Sequence, residues 1–190
     1  MYGNDGIFGN EDDSIPAAYP EVAAISALAD YDGKPGGDSY AGFSNYSNSV
    51  VAGNPVDSPG LAIDLLMPGV SVYSTVPGGY GTKSGTSMAS PHAAGLAALY
   101  IAVNGRANDA DGVYAIRQAL IDGGVAQDGP CGIDGDPDPD GNLENIGWAG
   151  PDGCSTTEPE TLIVASIDYV TEGGKSGDKN LLITITLSPW

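Results

Sequence analysis

SGTSMASPHAAGLAALYIAV, residues 84–103, is the stretch that decides how this chain folds. From Met88 onward it is rich in Ala and Leu and apolar nearly all round, the composition of a helix buried in a core. Pro91 lies near the start, where few intrahelical donors are lost. Ser87 stands where a Gly-containing turn meets the helix N-terminus, so its backbone N–H lacks an intrahelical partner and lies at the positive end of the dipole. An oxyanion would be stabilised there. The hydroxyl itself reads in two ways on local chemistry: as an N-cap, or as an acyl-transfer nucleophile if a base reaches it.

Working outward, residues 22–28 (VAAISAL) and 61–67 form continuous apolar runs bounded by turn residues, as expected of strands buried on both faces. Residues 70–76 (VSVYSTV) alternate like a half-exposed strand, and Pro77-Gly78-Gly79 ends them as a turn. A second helix fits residues 111–121, where Val113, Ile116, Ala119 and Leu120 recur at helical spacing before Gly123-Gly124. Strands followed by helices predict an α/β domain. After about residue 125 the composition turns to loop, until β-like runs at 161–170 and 181–187 flank the turn GGKSGDKN. A lone hairpin is marginal in water. The expected division is therefore residues 1–155 as an α/β domain and 156–190 as the linker and first strands of an all-β domain, with the chain truncated at both ends.

The 190 residues are 41% apolar, enough to bury a core, and 6 Lys plus Arg against 25 Asp plus Glu give a net charge of −19. That charge repels nucleic-acid phosphates and anionic membrane surfaces. It suits a secreted, a salt-adapted or a cation-binding protein alike. The start, MYGNDGIFGN, carries no signal peptide, and the apolar run 93–103 is too short to span a bilayer. Cys131 and Cys154 bracket a Gly-, Pro- and Asp-rich loop. They read as a disulfide or as two thiols in a reducing compartment.

GTSMASPH, residues 85–92, resembles the nucleophile motif of the subtilisin-like serine proteases, or subtilases, over consecutive residues. Further stretches agree in order: Tyr2-Gly3-Asn4, Ile15 through Val22 (IPAAYPEV), Phe43-Ser44-Asn45-Tyr46, and Pro68-Gly69 with Ser74-Thr75. The resemblance covers roughly residues 2–122. It implies a three-layer α/β domain with a mainly parallel sheet and helices on both faces, and a serine endopeptidase acting on protein or peptide substrates without a cofactor. Carried over by position, Ser87 is the nucleophile and Asn4 donates its side-chain amide to the oxyanion; on local chemistry alone Asn4 is a turn residue. The resemblance also implies secretion, and says nothing of oligomeric state. Separately, the C-terminal hairpin SIDYVTEGGKSGDKNLLITITL, residues 166–187, resembles the opening of an Ig-like β-sandwich domain.

The triad further needs a His base and an orienting Asp. The chain's single histidine, His92, lies five residues after Ser87, displaced about 7 Å along the helix and about 140° around it. It matches the family's non-catalytic helix histidine. In subtilases both missing members precede the oxyanion Asn, so this chain is expected to lack them and to be inactive by itself. A catalytically dead relative serving as a binding or structural module is the alternative. An esterase elbow around Ser87 fails because no His follows His92 and Ala89 replaces the second Gly. Asp134, Asp136, Asp138 and Asp140 alternate through IDGDPDPDG, either as an irregular calcium loop or as a solvated acidic one; Gly147 stands where an EF-hand needs its closing Glu.

Overall fold

The structure, a computed structural model, describes residues 15–31, 36–50 and 52–150 in full and the backbone of 163–171 and 181–188. Strand β1 (Ile25–Ala29) is buried along its whole length. It pairs antiparallel with the two-residue β2 (Ser39–Tyr40) and in parallel with β3 (Leu65–Pro68), Ile25 facing Leu65 and Leu28 facing Pro68. β4 (Val72–Val76) and β5 (Gly79–Lys83) form an antiparallel hairpin, followed by α1 (Thr86–Asn104) and α2 (Ala110–Asp122). In a separate unit, Thr157–Trp190, β6 (Ile163–Thr171) pairs antiparallel with β7 (Leu181–Ser188).

Alternation along β1 and β3 sorts their side chains onto two faces. Ile25, Ala27, Leu65 and Met67 meet Ala89 and Leu96 of α1 and Ile121 of α2. Leu28 and Leu66 instead join Tyr40, Val125, Cys131 and Ile146, supplied by the irregular segment 125–148. That segment also extends the sheet, for Leu66 N–H donates to Asn145 O and Gly147 N–H donates to Leu66 O. Among the described strands only β1 and β3 run parallel, so the sheet is mixed where a mainly parallel one was expected. Helices cover one of its faces and loop the other. Cys131 is buried and disulfide-bonded; Cys154 lies outside the described residues.

A buried ion pair ties α2 to the sheet. Arg117 donates to both carboxylate oxygens of Asp64, at 3.1 and 2.9 Å, and to Pro20 O at 2.7 Å. Ala24 N–H also donates to Asp64 at 2.7 Å, leaving that carboxylate fully used.

On the loop-covered face the side chain of Glu144 is almost wholly enclosed and accepts a hydrogen bond from Ser26 Oγ. Burial first, and then the negative Asp138 beside it, push its carboxyl well above the ordinary value of 4.5, against the pull of Ser26. Burial and Glu144 likewise raise the phenol of nearby Tyr40. A carboxyl whose pKa is higher folded than unfolded stabilises the fold fully below the unfolded value and loses that contribution as pH rises through the folded one. Stability is therefore expected to fall above pH 4.5, with Glu144 contributing up to about 1.4 kcal/mol per pH unit. Glu144→Gln keeps the shape without the charge and should flatten the slope. Urea unfolding of both proteins between pH 4 and pH 8 is the check, and parallel curves would refute the assignment.

Candidate active site

Ser87 is exposed at the second position of α1. It is not the N-cap: Gly85 holds that place with no side-chain capping bond, and its backbone (φ 155°, ψ 160°) is of a kind that favours glycine. Met88 N–H is the first to return to Gly85 O, at 2.9 Å, so the N–H groups of Thr86 and Ser87 precede the intrahelical ladder. They point their partial positive charge where Ser87 stands. No acidic residue in the first turn offsets it.

Gly69 fixes that helix end against the sheet. Its N–H donates to Leu28 O at 2.9 Å, and its carbonyl accepts from Gly85 N–H at 2.8 Å. A Cβ on Gly69 would come within 2.7 Å of Ala27 Cβ and 2.9 Å of Gly85 O, too close for any other residue. Ser87 is thereby set at the C-terminal end of the parallel β1–β3 pair, the edge where open α/β sheets bind ligands. Gly69→Ala should displace the helix start and cost about 1–3 kcal/mol, measurable by urea unfolding; a change below a few tenths would show that the backbone gives way freely.

A cavity of about 320 Å³ opens beside Ser87, between α1 and the β4–β5 hairpin. Half-buried Met88 and exposed His92 also line it. The ring of His92 is held by its own helix, with Nδ1 2.8 Å from Met88 O, so this nitrogen carries the proton it donates. Asn4 lies outside the described residues.

The four aspartates of the acidic loop are not brought together as a ligand set. Asp134 and Asp136 are exposed, while Asp138 is buried. Asp138 accepts from Asp140 N–H and from Gln127 Nε2, each at 3.3 Å. Asp140 accepts from Ser47 N–H at 2.8 Å and from Asn142 N–H at 2.7 Å, pinning the loop to residues nearly a hundred positions upstream. Among the described residues no group of three or more His, Cys, Asp or Glu side chains is placed to hold a metal ion. The carboxylates of Asp138 and Asp140 thus accept hydrogen bonds from within the loop and from Gln127 and Ser47.

Two features of the site escaped the sequence reading: β5, and with it the placing of Lys83 on the cavity wall. The signal was present. Val76 pairs with Gly79 across Pro77-Gly78, and Gly78 has φ 88°, the pattern of a type II turn with Pro at its second position and Gly at its third. Residues 79–83 lack the apolar alternation that would have marked a returning strand.

Residues 2–144 match the profile of the Subtilase family, Peptidase_S8. The chain is 42% identical over 106 residues to the Thermophilic serine proteinase of Bacillus sp. (strain AK1), covering 55% of this chain and 20% of that protein. It is 40% identical over 101 residues to Subtilisin E of Bacillus subtilis (strain 168), covering 52% and 22%. Among solved structures, sphericase aligns at 30% identity with a TM-score of 0.48, over 70% of this chain and 40% of that one. The chain thus spans about a fifth of the length of these curated relatives. With the family profile covering about three quarters of its residues, the chain belongs to the subtilase family.

Proposed function

We propose that the full-length protein is a serine endopeptidase in which Ser87 attacks the peptide carbonyl. The supporting observation is the exposed Ser87 hydroxyl at a helix N-terminus, beside a cavity, at the carboxyl edge of parallel strands. As the Oγ–C bond forms, the hydroxyl proton passes to a base and the carbonyl oxygen becomes an oxyanion held by the Ser87 N–H and the Asn4 amide. Collapse breaks the C–N bond, the amine leaves with that proton, and water then cleaves the acyl-enzyme. His92 does not serve as the base, since its helix placing keeps it from Ser87 and Nδ1 is engaged with Met88 O. The base and its orienting Asp are assigned to polypeptide beyond these 190 residues, and this chain by itself is expected to hydrolyse no peptide.

Treating the full-length protein with a fluorophosphonate tests this reading. A phosphonyl adduct on the peptide containing Ser87 is the expected result. Its absence, with labelling nowhere or on another serine, would overturn the assignment in favour of a non-catalytic binding module.

Met88 adjoins the nucleophile and lines the same cavity, so its oxidation to the polar sulfoxide should impair hydrolysis. Activity is expected to fall severalfold in dilute peroxide and to persist in Met88→Ala. Equal loss in both would exclude Met88 as the target.

The disulfide at Cys131 supports action outside the reducing cytosol, and among the described residues no helix is long and apolar enough to cross a membrane. The antiparallel β6–β7 pair supports reading Thr157–Trp190 as the opening of an all-β domain of Ig-like type.

A further inference from the structure

Among the described residues that line the cavity beside Ser87, the one Lys, Arg, Asp or Glu side chain is opposite in sign to the net charge of the chain. Side chains along the β4–β5 hairpin alternate between two faces. On one face Tyr73 and Tyr80 stack with centroids 5.8 Å apart, both rings largely exposed. The other face bears Val72 opposite Lys83 and Ser74 opposite Gly81; these four residues line the cavity with Ser87 and His92, and Tyr73 and Thr75 of the first face border it as well. Among the described lining residues Lys83 is the only Lys or Arg, and none is Asp or Glu. Among the described residues no carboxylate pairs with it, whereas buried Arg117 is consumed by Asp64. In a chain with net charge −19, a lone ammonium lies on the wall of the cavity that adjoins the nucleophile.

We propose that Lys83 selects substrates by charge, so that peptides placing an Asp or Glu side chain in this cavity are cleaved in preference to those placing Lys or Arg there. The proposal rests on the reading of Ser87 as a peptidase nucleophile. Lys83 supplies a strongly hydrated point charge on a flexible stem, suited to a carboxylate without demanding one geometry. At a solvent-open wall such a pair is worth about three- to fivefold in binding, and repulsion of a cation adds a comparable factor. The negative background acts on every peptide, with or without the lysine. Comparing variants at one position therefore isolates the contribution of Lys83.

The test uses the full-length protein and fluorogenic peptides that differ only in carrying Glu, Gln or Lys at one position, taken in turn through the three positions on either side of the cleaved bond. Wild type is expected to show a Glu-over-Lys ratio in kcat/KM of about tenfold at one of these positions. That ratio should approach one in Lys83→Gln, invert in Lys83→Glu, and shrink in high salt. Ratios identical in all three proteins at every position would overturn the proposal. If no peptide is cleaved and no fluorophosphonate adduct forms on Ser87, the peptidase reading itself has failed. The same peptides are then compared by fluorescence anisotropy: a Glu preference lost in Lys83→Gln sustains the charge selection, and equal binding across the variants ends it.

Discussion

Ser87→Ala in the full-length protein is expected to lower kcat for peptide hydrolysis by about 10⁶-fold without changing its melting temperature. The figure is that of subtilisin, a member of the same family, in which removing the nucleophile leaves only what oxyanion stabilisation and binding contribute. Unchanged stability follows from position. Had Ser87 been the N-cap, its loss would cost about 0.5–2 kcal/mol. Gly85 holds that place, and the Ser87 side chain is exposed, so little is forfeited in the folded state. Turnover and a thermal melt on the same preparations separate the two roles. Activity within tenfold of wild type would remove Ser87 from the chemistry, and a melt lowered by several degrees would make it structural.

The largest effect on stability is expected from Asp64→Ala, at about 3–5 kcal/mol. Arg117 would stay buried with two of its donors unanswered, and Ala24 N–H would lose its acceptor. Against the about 5–15 kcal/mol that holds a typical domain together, this is about a fifth or more of the total. Removing both charges, as in Asp64→Leu with Arg117→Met, should recover most of the loss, because an apolar pair of similar volume leaves no uncompensated charge. Urea denaturation of the full chain measures both. A single-mutant cost below about 1 kcal/mol, or a double mutant no better than the single, would mean that water or another group already satisfies Arg117.

The two helices were legible because each is a local pattern: Met88 through Val103 is apolar all round, and Val113, Ile116 and Leu120 repeat at the helical period. The motif GTSMASPH likewise sits in consecutive residues, so Ser87 could be singled out without knowing where the chain goes. Burial was harder to read. The apolar composition of α1 predicts a helix enclosed on every side, yet Ala89 and Leu96 are its buried residues and Leu99 and Val103 stand exposed. Composition reports what a helix would bury, and packing depends on which other layers are present to cover it.

The acidic loop shows the same division. Alternating aspartates repel one another in any conformation, and both a cation and a set of backbone N–H donors relieve that repulsion. Sequence spacing cannot choose between them. What the fold adds is a distant donor, for Ser47 N–H reaches Asp140 across 93 positions.

By itself, then, the sequence determined the family, the two helices and the buried strand runs, and singled out Ser87 as the candidate nucleophile, because each of these is written in neighbouring residues or at a fixed short period. Only the tertiary structure decided that Asp64 meets Arg117 across 53 positions, that Ser26 meets Glu144 across 118, and that Lys83 lines the cavity beside Ser87. The physical reason is that such contacts depend on the path of the chain. Turns, strand register and the close approach permitted at Gly69 set that path, and no local pattern in the side chains records which distant partner it delivers.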